Sequence, residues 1–174
     1  MIKLVEITED NIKMALEIEH KIFPKYNARA NYYDSLKSDK ITFFLLFTNN
    51  EYIGISGVYS YENDHENAWL GFFGLKEEYR GKGFGKEALE LTENYAIERG
   101  FKFMRLFTDK YDNMEAIDFY RSQGYTFENY DCKQEDLRGM FQVVIGSKSI
   151  SDLKVKKWNN KFLNITKQTI KQEC

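Results

Sequence analysis

The chain has 174 residues, with 25 Lys and Arg against 27 Asp and Glu, and a formal net charge of −2. One Pro and 11 Gly in a 43% hydrophobic, 30% charged composition exclude collagen-like and Pro-rich disordered chains and leave apolar material for one sizeable core. The near-neutral balance excludes general nucleic-acid binding through a basic surface, and two cysteines, Cys132 and Cys174, are too few for a disulfide-stapled secreted domain.

Residues 2–7 read as a short strand. No uninterrupted apolar region follows Met1, because Glu6, Glu9 and Asp10 intervene, so no signal peptide is expected. Asn11–Phe23 reads as a helix that stops where Phe23 precedes Pro24. Ala28–Leu36 is a second helical stretch. Ile41–Phe47 and Glu51–Ser60 are strand-like runs joined by Thr48-Asn49-Asn50, a hairpin signal. Ile41–Phe47 is also the longest apolar run, far short of the ~20 residues that cross a bilayer. A soluble, cytoplasmic protein with no membrane contact is therefore expected.

Tyr61–Asn67 is a polar loop and Ala68–Leu75 an apolar strand. After a polar loop over Lys76–Lys82, Phe84–Glu98 reads as a helix closed by Gly100. Phe101–Thr108 is a strand, and Asp112–Ser122 a helix with Asp112 and Glu115 at capping-box spacing. Tyr125–Cys132 and Met140–Gly146 are two late strands. In the tail, Ser151–Glu173, Val155, Trp158, Phe162 and Ile165 fall at helical spacing with a Lys-rich back. That predicts an added basic amphipathic helix over 150–174, packed on its own domain (1–149) or making a homodimer contact, with a membrane-surface helix as the least favoured alternative. This tail carries six Lys against two acids, which leaves residues 1–149 at −6 within the net −2. That asymmetry fits two solvated faces of opposite sign or a cleft that attracts a cationic substrate.

The chemistry concentrates in Leu75-Lys76-Glu77-Glu78-Tyr79-Arg80-Gly81-Lys82-Gly83-Phe84-Gly85-Lys86. A strand, a glycine-rich loop and a helix start aim unpaired backbone N–H groups and a positive helix end at one spot, which suits a phosphate or pyrophosphate. Arg80, Lys82 and Lys86 add charge. A P-loop fails, because position 80 is Arg and position 87 is Glu. The dinucleotide fingerprint matches at Gly83, Gly85 and Ala88, with Asp109 where a ribose ligand would sit. Its strand-to-helix turn is too long, however, and too little chain follows for a doubly wound sheet.

The third loop fits best. The stretch resembles motif A of the Gcn5-related N-acetyltransferase (GNAT) family, Q/R-x-x-G-x-G/A, at Arg80, Gly83 and Gly85. Asn113 to Tyr125 is similar to the family's N-x-x-A-x-x-x-Y-x-x-x-G-F segment through Asn113, Ala116, Tyr120 and Gly124, with Tyr125 replacing Phe. Helical spacing also places Asn113, Ala116 and Tyr120 on one face. The resemblance implies an α/β GNAT fold, with a mixed sheet of six to seven strands flanked by helices. It implies acetyl transfer from acetyl-CoA to a primary amine of a small molecule or peptide by direct attack, with no metal. Phe73 and Leu75 would hold the acetyl carbonyl and pantetheine. The amides of Arg80, Gly81, Lys82, Gly83, Phe84, Gly85 and Lys86 would hold the pyrophosphate. Asn113, Ala116, Phe119 and Tyr120 would line the pantetheine arm, with Tyr120 as general acid. Many members carry a Glu on the strand before the loop; that position here is Trp69. Glu66 is then the candidate base, with Glu62, Asp64 and His65 as alternatives. Tyr26, Tyr33, Tyr61 and Trp69 are candidate acceptor-binding aromatics for a cationic amine. The competing function is a non-catalytic acyl-CoA-binding or sensor domain of the same fold.

Overall fold

The computed structural model describes residues 1–62, 64–131, 133–134, 137, 139–158 and 163. Among them the chain forms eight strands and four α-helices, the α/β composition expected with one strand more. In order these are β1 (Lys3–Glu6), α1 (Ile12–Ile22), α2 (Arg29–Ser35), β2 (Ile41–Thr48), β3 (Glu51–Tyr59), β4 (Asn67–Leu70) and β5 (Gly74–Leu75). A 3₁₀ turn (Glu77–Tyr79) leads to α3 (Phe84–Glu98), β6 (Phe103–Asp109), α4 (Met114–Ser122), β7 (Thr126–Asn129) and β8 (Val143–Ser149). The chain groups into two compact units, residues 1–60 with 70–99, and residues 61–69 with 100–174.

In the first unit β1, β2 and β3 pair antiparallel in that order, and β5 adds to β3. Asn49 and Asn50 take left-handed φ of 50° and 61°, the backbone that closes a two-residue hairpin. β2 reads as a continuous apolar run because both of its faces are covered. Phe43 and Leu45, with Ile55 of β3, pack on Ile12, Ala15, Ile18 and Ile22 of α1 and Tyr32 of α2. Leu46 and Ile53 pack on Ile2, Leu75 and Ala88 of α3. Successive strand residues point to opposite faces, so one strand serves two cores. The Ser56 and Thr92 hydroxyls share a buried 2.8 Å hydrogen bond between β3 and α3.

The strand expected over 68–75 is divided. Its first part, β4, pairs with β6, and its last two residues pair with β3. Between them Phe72 sits at φ 43°, a conformation rare for a bulky side chain. A Cβ on Gly74 would lie 2.6 Å from Ile22 Cγ2 and 2.9 Å from the Phe23 ring, so the end of α1 rests directly on the β5 backbone.

The second unit orders its strands β4-β6-β8-β7. β4 and β6 are parallel, with paired residues ending at Trp69 and Arg105; β6–β8 and β8–β7 are antiparallel. This is no doubly wound parallel sheet. Asp109, the ribose ligand of the dinucleotide reading, is 4% exposed. Its carboxylate accepts backbone N–H bonds from Tyr111 (2.9 Å), Asp112 (3.2 Å) and Phe141 (2.6 Å). Burial works to raise its pKa, and these donors with Gln142 outweigh burial and hold it below the usual range. It anchors the chain entering β8 and is occupied by that task.

Of the helix expected over 151–173, residues 151–158 form bends and irregular chain; apart from Leu163 the remainder lies outside the described residues. Tertiary contacts explain the departure. Trp158 is 4% exposed, stacked on Tyr61 at 5.4 Å and edge-on to Trp69 at 4.7 Å. Its N–H donates to the Glu128 carboxylate. Gln134 grips Leu163 through both main-chain groups at 2.9 Å.

Candidate active site

The two parts of the expected coenzyme site fall in different units, the glycine loop in the first and the Asn113 helix in the second.

In the first unit, Gly81 and Gly83 take φ of 70° and 85°. A Cβ on either would meet nothing within 4 Å. These glycines are therefore required by backbone conformation and not by crowding. Gly83 is the N-cap of α3 and offers no side-chain cap. The first amide bonded back to it is Glu87 N–H, so the N–H groups of Phe84, Gly85 and Lys86 face out of the helix start. Open space, left-handed glycines and uncapped amides fit a bound anion better than a packing turn.

The loop is held from behind. The Tyr79 hydroxyl donates to Glu51 Oε2, and Lys76 Nζ donates to Glu51 Oε1 at 2.9 Å. These two hydrogen bonds hold the Glu51 carboxyl below its usual range. Arg80 Nε donates to the Leu75 carbonyl at 3.0 Å, tying the loop to β5. Lys82 lies 6.0 Å from the Tyr79 ring centroid. Nothing in the sequence singles out Glu51; its role depends on a contact 28 residues away. Phe73 is half-buried against the core cluster that contains Leu75.

In the second unit, Asn113 is the N-cap of α4 but makes no side-chain capping bond, so capping does not account for its side chain. Ala116 follows on the helix, and Phe119 and Tyr120 rings meet at 5.2 Å. Tyr120 is 7% exposed, with Tyr125 packed at 5.5 Å. Burial pushes its phenol well above the usual range, so the proton stays on at neutral pH.

The remaining sequence candidates scatter. Glu66 is exposed in a turn organised by Asp64, whose carboxylate accepts the N–H groups of Glu66 and Asn67 at 3.0 Å. His65 is exposed there too. Tyr26 and Tyr33 are 52% and 36% exposed; Tyr26 packs on Phe23 and Tyr33 lies under Arg29. Tyr61 and Trp69, read from sequence as acceptor-binding, are 1% and 0% exposed. Their rings meet at 5.5 Å, and Trp158 closes over them. Arg105, 2% exposed, also faces Trp158 and donates to Asn67 and Ser147 at 2.5 and 2.7 Å.

Residues 9–125 match the model of the "Acetyltransferase (GNAT) family". The chain belongs to that family. Solved structures share its fold. The ribosomal-protein-S18-alanine N-acetyltransferase of Escherichia coli is 18% identical, with TM-score 0.69, over 91% of this chain and 99% of that one. A GNAT acetyltransferase from Elizabethkingia anophelis with acetyl-CoA bound is 14% identical, with TM-score 0.67, over 85% and 97%. Mutant forms of the spermidine/spermine N-acetyltransferase of Vibrio cholerae are 13% identical, with TM-score 0.65, over 86% and 95%. No curated protein sequence matches the chain.

Proposed function

We propose that this protein transfers the acetyl group of acetyl-CoA to a primary amine of a small molecule or peptide by direct attack. The observation that carries this is the uncapped start of α3 behind two left-handed glycines, in a chain of the GNAT family. When bound, acetyl-CoA supplies the acetyl group as a thioester. The amides from Arg80 to Lys86 would bind its pyrophosphate, with Lys82 and Lys86 adding charge. Main-chain groups of Phe73 and Leu75 would orient the acetyl carbonyl and pantetheine; Arg80 engages only one of the two lone pairs of the Leu75 carbonyl. Asn113, Ala116 and Phe119 would flank the arm. Tyr120 would hold a proton at its hydroxyl for the departing sulfur. Glu66, exposed, would take the acceptor's proton through water. Tyr26 and Tyr33 are the acceptor-facing aromatics that remain accessible, and a cytoplasmic site of action fits this chemistry.

Trp69 favours a second reading. It stands where many members carry a carboxylate, and it is wholly buried, so this position supplies no base, which suits a domain that binds acyl-CoA without turning it over.

Calorimetry with acetyl-CoA and NADH side by side, followed by an amine panel monitored for free thiol, separates these readings. Acetyl-CoA binding with thiol release is expected. Binding without release from any amine selects the sensor reading, and NADH binding alone overturns both. The loop anchor makes a further prediction. Glu51→Gln should weaken acetyl-CoA binding by about three- to tenfold, with kcat within about twofold, because it loosens the turn without touching reacting atoms. Unchanged affinity in calorimetry would show that the turn needs no anchor.

A further inference from the structure

The buried face of α1 is apolar except at one position. Ile12, Ala15, Ile18 and Ile22 are joined there by Glu19, only 3% exposed. Tyr32 of α2, in the field of that carboxylate, is 0% exposed. Among the described residues, Glu19 Oε1 and the Tyr32 hydroxyl meet no hydrogen-bond partner. The carboxylate does take a bond from the Ala28 N–H at the head of α2. Buried polar atoms are almost always paired, and one left unpaired calls for a reason. An apolar side chain at either position would hold this core at lower cost.

The surroundings indicate what those atoms are for. The Tyr32 ring meets Phe43 at 4.9 Å and Phe72 at 6.5 Å, and Phe23 meets Phe72 at 6.1 Å. Phe72 belongs to this group while sitting in its left-handed conformation. A carboxylate beside the Tyr32 phenol, whose ring heads this aromatic group, suits an organic ammonium ion, which gains a charge-assisted hydrogen bond and a negative ring face. Burial pushes the Glu19 carboxyl above its usual range, against the Ala28 N–H and His20; a bound ammonium would restore its charge. The location is also informative. Ile22 and Phe23 follow Glu19 by three and four residues, and both press on Gly74. Glu19 thus lies about one helical turn before the residues that press on the strand proposed to orient the acetyl group.

An amine must be uncharged to attack a thioester, so a carboxylate enclosed this way suits a different nitrogen. Building on the acetyl transfer proposed above, we infer that Glu19 and Tyr32 form a recognition subsite for a second, non-reacting ammonium on the acceptor, which is therefore a diamine or polyamine.

The test compares 1,4-diaminobutane with butylamine, which has the same carbon chain and one nitrogen fewer. The wild-type protein should turn over the diamine with a kcat/KM about ten- to a hundredfold higher. Glu19→Gln keeps an acceptor for the Ala28 N–H and should raise the diamine KM at least about tenfold, the size of one lost charge-assisted bond. Its kcat, its butylamine kinetics and its acetyl-CoA affinity should stay within about twofold of wild type. Tyr32→Phe should act in the same direction, more weakly. Equal wild-type use of both amines, or a diamine preference that survives Glu19→Gln, overturns the subsite; the latter with a lower Tm would make Glu19 a tie to α2 and nothing more. Calorimetric titration of 1,4-diaminobutane into wild type and Glu19→Gln reads the subsite without turnover. Absence of acetyl-CoA binding counts against acetyl transfer alone, whereas absence of diamine binding to the wild type counts against the subsite alone.

Discussion

Replacing Tyr120 by Phe is expected to lower kcat by roughly 10²-fold while acetyl-CoA affinity stays within about twofold, the range for losing a positioned proton donor. The substitution keeps the ring, which packs between Phe119 and Tyr125. It also keeps the main-chain carbonyl that accepts from Gln123 and Tyr125 at 3.0 and 3.1 Å. What goes is a hydroxyl that burial keeps protonated. A thiolate leaving without a proton is left with its charge in a site of low polarity. Steady-state thiol release and calorimetry with acetyl-CoA measure the two quantities separately. An unchanged kcat would remove Tyr120 from the chemistry.

The second large effect is on stability. Gly57→Ala should destabilise the fold by about 2–3 kcal/mol, in the upper range for overpacking a core. In a chain of this length that lowers Tm by roughly 4–12 °C. The added Cβ would lie 2.2 and 2.4 Å from Phe43 ring carbons and 3.0 Å from the Gly71 carbonyl. Phe43 is 3% exposed and has little room to turn, because Tyr32 and Phe72 hold it at 4.9 and 6.2 Å. Trimming the obstacle with Phe43→Leu should recover part of the loss in the double variant, so that the two changes are clearly non-additive in thermal melts. Additive losses, or no loss for Gly57→Ala alone, would mean that the ring has somewhere else to go.

Much of the fold was legible locally. α3 is found where it was expected, since glycines punctuate it at both ends. The β2–β3 hairpin follows from two apolar runs around an Asn-Asn turn. The departures all depend on distant partners. The run 68–75 is uniformly apolar, and nothing local says that its beginning pairs with β6 and its end with β3. The last strand was expected over 140–146 and runs over 143–149. Asp109 engages Phe141 N–H before it starts, and Ser147, which reads as turn material, is 1% exposed and accepts from Arg105. Over 151–158 helical spacing was overridden by the place that Tyr61 and Trp69 make for Trp158. The glycine loop and the Asn113–Tyr120 face were legible because their geometry lies within a few residues. Glu19 and Glu51 were not, since a carboxylate in a helix or at a strand start looks like any other until its surroundings are known.

The aromatic closure around Trp158 has a consequence for how the chain acquires this structure. Tyr61 and Trp69 are synthesised long before Trp158, which covers them. Contacts this distant in sequence are slow to form, since the intervening loop must close first. Until then two large aromatic rings lie uncovered on a growing chain, the kind of surface that sticks to other chains and that chaperones bind. Aggregation during expression should therefore be sensitive to Trp158 beyond what the stability of the finished protein would suggest.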